Sequence, residues 1–145
     1  MNEHESITND DYAKSFEPKT ANRFIVKFGE PFDIIPEYVT KSVSALTLNR
    51  IDESYVWEDV VFELYDPIHP STSAKIRDAM DVLKKLQSNT ILVNVTLLDP
   101  VGTVISEWKL TGFIKEIDFG KLTWENGNPI IISIKFKVYS AILNY

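Results

Sequence analysis

The sequence predicts a mainly β fold of the α+β class, with about six to eight strands and one helix. Three observations carry this prediction. Apolar and polar residues alternate in long runs over most of the chain after residue 22. Clusters of Pro, Gly, Asn and Asp cut those runs apart, and only one segment, 71–87, changes to a period of 3.6. With 145 residues and 44% hydrophobic content, the chain supports one sizeable core and is short for two.

Residues 1–21 read as an acidic arm in which only Ile7, Tyr12 and Phe16 are sizeable apolar groups. Asp10 and Asp11 are placed to start a short helix through Phe16, since carboxylates complement a helix N-terminus, and Pro18 stops it. The β-rich domain, 22–145, opens with a strand in which Phe24, Val26 and Phe28 alternate with Arg23, Ile25 and Lys27. Gly29 to Glu37 follows as a loop whose Phe32, Ile34 and Ile35 need cover from the domain or a neighbour. A second strand, Tyr38 to Leu48, sets Thr40, Ser42 and Ser44 on a solvated face. After a charged connection, Asn49 to Ser54, a third strand from Tyr55 to Tyr65 puts Val60, Phe62 and Leu64 on one side. Asp66-Pro67 and His69-Pro70 then end the sheet pattern, because proline cannot donate to a ladder.

Ile76, Ala79, Met80, Leu83 and Leu86 share one face of the helix predicted over 71–87. Ser71 or Ser73 suits its N-cap, and Lys84 and Lys85 suit its negative end. The next strand carries Ile91, Val93, Val95 and Leu97 on one face and meets the turn Asp99-Pro100-Val101-Gly102. The returning strand runs from Thr103 to about Asp118, with Gly112 at a bulge. Gly120 to Trp124 leads into a second turn, Asn126-Gly127-Asn128-Pro129. A last strand puts Ile130, Ile132, Ile134, Phe136 and Val138 on one face and Ser133, Lys135, Lys137 and Tyr139 on the other. Strands of a dozen or more residues reach ~40 Å, beyond the usual five or six residues. That excess length points to a sheet continued between subunits.

A formal charge of −6 makes phosphate neutralisation a poor source of affinity and argues against nucleic-acid binding. The absence of cysteine removes disulfides, thiolate metal sites and thiol nucleophiles. The N-terminus has neither a basic nor an apolar stretch of the secretory kind, and no apolar run approaches ~20 residues. The expectation is a soluble protein made in the cytoplasm, with no membrane partner.

No catalytic constellation is assembled. His4 and His69 lie in the arm and between two prolines, with no second ligand at metal spacing. Asp52, Glu53, Glu58 and Asp59 form the densest acidic group, but their spacing matches no calcium loop and they read as solvated. A phosphate cradle and a Gly-x-Ser-x-Gly elbow are both missing. Asn94-Val95-Thr96 meets the glycosylation pattern but falls inside a predicted strand. Trp57, Trp108 and Trp124 are suited to stacking on a sugar or base, or to packing in a core or subunit interface. The expectation is a structural subunit with no enzyme activity, cofactor or metal.

Laid out in order, the elements resemble the tail tube proteins of contractile-tailed bacteriophages, relatives of type VI secretion and other contractile injection tube proteins. Asn9 to Phe16 looks like the family's N-terminal helix, and Asn22-Arg23-Phe24-Ile25-Val26 like its first strand. Leu110-Thr111-Gly112-Phe113 and Asp118-Phe119-Gly120-Lys121-Leu122-Thr123-Trp124 resemble its Leu-x-Gly-aromatic and Gly-x-Leu-x-Trp motifs, ahead of a terminal strand. Phe113-Ile114 stands where the family often has Trp-Pro, and Thr123 where an Asp commonly precedes the tryptophan.

The resemblance implies an antiparallel β-sandwich or partial barrel flanked by the one helix. Six such subunits would close into a ring, and stacked rings would form a conduit that passes genomic DNA without specific binding. Sheath protein would wrap the tube, and baseplate and tail terminator proteins would meet its ends, in a virion tail assembled in the host cytoplasm. The family's ring-to-ring loop corresponds to Leu46 to Trp57, which makes Leu46, Leu48, Ile51, Tyr55 and Trp57, with Tyr12 and Phe16 of the arm, the inter-subunit candidates. Ser42, Ser44, Lys135 and Lys137 are the lumen-facing candidates. A baseplate tube-initiator or tail-completion protein is the related alternative. From another class, a monomeric β-sandwich that binds a carbohydrate or protein through exposed aromatics stays open.

Overall fold

The computed structural model describes residues 17–144. The helix expected from Asp10 to Phe16, with Tyr12 and Phe16, lies outside the described residues. Within them the strands are β1 (Phe24–Phe28), β2 (Thr40–Val43), β3 (Leu48–Ile51), β4 (Ser54–Trp57) and β5 (Val60–Tyr65). After them come the helix α1 (Thr72–Lys85) and the strands β6 (Ile91–Leu98), β7 (Val104–Asp118) and β8 (Ile131–Asn144). Short 3-10 turns at Phe32–Ile34 and Glu37–Val39 join β1 to β2.

Six strands form one antiparallel sheet in the order β1-β6-β7-β8-β5-β2, and β3 and β4 form a separate hairpin. The sheet curls into a nearly closed barrel, which agrees with the mainly β, one-helix fold expected. Its two end strands approach each other: Lys27 of β1 pairs with Glu37, just before β2, at 3.3 Å. The alternation explains the curl, since every strand of the sheet sends one set of side chains inward. Val26 and Phe28, Val60 to Leu64 at even positions, Ile91 and Val93, Leu110, and Ile132 to Val138 at even positions make that interior. At its centre Phe62 meets Phe28 and Phe136 edge-on, with ring centroids 5.3 and 6.1 Å apart.

α1 spans 72–85 of the predicted 71–87, with Ser71 as its N-cap, as expected, and Leu86 as its C-cap. Ser71 Oγ accepts from the Ala74 N–H at 3.2 Å, and Asp66 Oδ1 accepts from the Ser73 N–H at 3.1 Å. Ile76, Ala79 and Leu83 are buried, and the helix packs on the Phe32–Ile34 turn, where Phe32 is fully buried. Thus the loop residues Phe32 and Ile35 find cover within the chain, while Ile34 stays exposed.

The turn at Asp99 forms as expected. Its carboxylate accepts from the N–H groups of Val101 and Thr103 at 3.0 and 2.8 Å, and Gly102 takes φ +90°. The bulge at Gly112 is also present: the β7–β8 register shifts between Thr111 and Gly112. A Cβ there would lie 1.8 Å from the Lys137 carbonyl oxygen, so the strands approach more closely than any side chain allows.

Four features differ from the sequence expectation. The strands expected over Tyr38–Leu48 and Tyr55–Tyr65 are each split, into β2 with β3 and β4 with β5. Where β2 ends, the Ser44 Oγ accepts from the Val61 N–H at 2.8 Å in place of a backbone acceptor, while the Ser44 N–H still donates to the Val61 carbonyl. The charged connection Asn49 to Ser54 is a tight hairpin, with Ile51 paired to Ser54 and only Asp52 and Glu53 in the turn. Asp52 sits at φ 56°, a left-handed conformation that Asp tolerates better than most residues. Finally, Asn126 to Pro129 makes no tight β7–β8 turn. Asn126 Oδ1 accepts from the Asn128 N–H at 3.1 Å within a longer exposed loop spanning 119–130.

Candidate assembly surfaces

The β7–β8 ribbon is longer than its neighbours can cover. β7 has 15 residues and β8 has 14, whereas β6 has 8 and β5 has 6. β6 pairs with β7 only through Val104 to Gly112, and β5 with β8 only through Ile131 to Phe136. One side of residues 113–118 and one side of residues 137–144 therefore have no ladder partner among the described strands. The second of these edges also exposes Tyr139, Ile142 and Leu143. Sequence reasoning named Tyr139 only as part of one face of the last strand and did not single out Ile142 or Leu143. Their signal is apolar groups at both even and odd positions near the end of β8, where the alternation that marks a one-faced strand is lost.

The β3–β4 hairpin projects from the barrel, and its residues divide into two groups. Leu48, Ile51 and Tyr55 are exposed. Trp57 and Leu46 are half-buried and pack against the chain's own core, with Trp57 edge-on to Trp108 at 5.9 Å. Three of the five hairpin candidates thus stand in solvent, while Leu46 and Trp57 lean on the core at the hairpin's base with part of their surface still accessible. Asn49 Nδ2 donates to Glu58 Oε1 across that base.

Between the hairpin and the outer face of the sheet lies a cleft of about 540 Å³, with Ile51, Val56 and Trp57 on one wall and Lys115, Lys135 and Lys137 on the other. Ser42, Lys135 and Lys137 are brought onto this same outer face, and Ser44 is exposed at its margin. The face is mixed in charge. Ser42 Oγ donates to Glu63 at 2.6 Å, Lys115 pairs with Asp59 at 2.8 Å, and Lys135 pairs with Glu116 at 3.5 Å.

At the far end of the β7–β8 ribbon the 119–130 loop holds Leu122 and Trp124 in solvent, 80% and 105% exposed. The three tryptophans thus separate: Trp57 and Trp108 pack together, and Trp124 touches little. No group of three or more His, Asp or Glu is arranged to hold a metal among the described residues, and His69 is exposed. No helix among them is long and apolar enough to cross a membrane.

No family model matches the sequence. None of the curated proteins matches it either. Solved structures do share the fold. A chain of an extracellular contractile injection system, the PVC sheath–tube complex in its extended state, aligns with TM-score 0.65 and 15% identity over 96% of this chain and 99% of its own. A chain of the PVC sheath/tube terminator aligns with TM-score 0.67 and 15% identity, covering 89% and 98%. A chain of the anti-feeding prophage baseplate aligns with TM-score 0.58 and 16% identity, covering 88% and 96%. This chain therefore has a fold found in contractile injection systems, in chains of a sheath–tube complex, a sheath/tube terminator and a baseplate.

Proposed function

We propose that the chain is a structural, non-catalytic tube subunit of a contractile tail, and that six copies close into a ring and rings stack into a hollow conduit. The unpaired edges of the β7–β8 ribbon carry this reading. Exposed strand edges of such length invite pairing with another chain, and closure into a shared barrel satisfies their N–H and C=O groups. Sheath protein outside, and baseplate and terminator proteins at the ends, are the partners of such a tube. Passage of genomic DNA without binding is consistent with the net charge of −6, which disfavours adhesion to phosphates. The fold shared with baseplate and terminator chains supports a second position for the same subunit type, at an end of the tube rather than along it.

Electron microscopy of the purified protein over a range of concentrations tests the proposal. Rings of uniform diameter, or tubes built from them, are the expected result. A monodisperse monomer at every concentration, by sedimentation as well as by imaging, would sink it and favour the ligand-binding module.

A further inference from the structure

Two apolar features lie at opposite ends of the molecule. One is the loop between β7 and β8, with Leu122 and Trp124 in solvent and Phe119 partly so. The other is a cleft of about 170 Å³ where the barrel fails to close, lined by Phe24 of β1, Val43 of β2, Leu46, Leu97 and Trp108, with Ala21 at its rim. A dry cavity of ~150 Å³ accepts a benzene ring, so this cleft has room for the ring of one large side chain.

Knob and cleft cannot meet within one chain. The cleft is at Trp108 and the loop begins after Asp118, a separation of roughly 33 Å along β7. The loop's neck is closed, since a Cβ on Gly120 would lie 2.7 Å from Ile130. Residues 121–129 can then carry the loop's tip at most ~15 Å beyond that neck. An apolar knob at one end and an apolar hole at the other, on one chain, define a heterologous, head-to-tail contact between copies rather than a self-complementary pair.

We infer that Trp124, flanked by Leu122, inserts into the Phe24–Val43–Leu46–Trp108 cleft of a second copy of this chain in the next ring. The contact presupposes the stacked assembly proposed above. It gives that assembly a direction, because each subunit offers its knob at one end only. It also explains why Leu46 is only half-buried: it forms part of the floor that receives the indole.

The chain contains no cysteine, so introduced thiols are the only ones present. A double variant, Ala21→Cys with Glu125→Cys, leaves Trp124 in place and puts one thiol at each side of the contact. Mild oxidation of assembled double variant should give a ladder of disulfide-linked dimers, trimers and higher species on a non-reducing gel. Mixing the two single variants should give heterodimers only. Trp124→Ala, at a fully exposed position, should keep its melting temperature and raise the concentration needed for tube growth by about tenfold or more. Tubes without a ladder would overturn the contact and leave the tube reading intact, as would Trp124→Ala tubes that lengthen normally. A ladder that forms only after removal of residues 1–16 would assign the cleft to that segment and also overturn the contact. Failure of the unsubstituted chain to form any assembly would overturn both readings.

Discussion

At the residue scale, Gly112 and Ser71 show how single side chains set the architecture. Gly112 is the point where β7 slips its register against β8, and its missing side chain lets the Lys137 carbonyl approach. Gly112→Ala forces backbone against a methyl group at a site with no flexible neighbour to yield. We expect a loss of about 3 kcal/mol, read as a lower urea midpoint. An unchanged midpoint would mean that the bulge relaxes without cost. Ser71→Ala removes the acceptor for the Ala74 N–H, and a loss of about 1 kcal/mol in thermal or chemical unfolding is expected. Both residues were legible in the sequence, because a glycine inside an alternating strand and a serine before a 3.6-residue period each have a local physical meaning. Ser44 was not legible. Its effect depends on a backbone N–H 17 residues away, which no local pattern reveals.

Among the elements, the β3–β4 hairpin and the β7–β8 ribbon carry the proposed assembly. Removing Asn49 to Ser54 takes away the hairpin tip and leaves Leu46, Trp57 and the Trp57–Trp108 contact at its base. The deleted residues are exposed, so the melting temperature should move little. Tubes should fail to lengthen in electron micrographs, and tubes of normal length would exclude the hairpin from ring-to-ring contact. The sequence placed apolar groups in a charged segment here, yet could not say which were free. Leu48, Ile51 and Tyr55 face solvent, while Leu46 and Trp57 lean on the core, and that division follows from where the hairpin folds back. The lengths of β7 and β8 were plain from alternation, but their unpaired edges were not. Pairing depends on how far β5 and β6 extend alongside them.

At the scale of the whole molecule, charge and shape decide how copies meet. Each chain carries −6, so closing copies into the proposed ring would bring like charges within about a Debye length, ~8 Å at physiological salt. Raising the salt should screen this repulsion and lower the concentration at which rings form, by several-fold between ~0.05 and ~0.5 M salt. Light scattering against protein concentration measures this, and an opposite trend would show that attractive ion pairs between copies dominate.

The sequence by itself determined a mainly β fold with the helix over 72–85, its turn at Asp99, its bulge at Gly112 and the inward faces of its strands. Each of these is encoded in residues a few positions apart, where sterics, capping and periodicity act. Tertiary structure alone decided that the sheet curls until β1 nears β2, that Ser42, Lys135 and Lys137 share a mixed-charge face, and that two long strand edges lack partners among the described residues. It also decided that Trp124 stands at the opposite end from the cleft at Trp108. Those properties depend on register and closure between segments far apart in the chain, which the chain acquires only when its apolar faces are buried together.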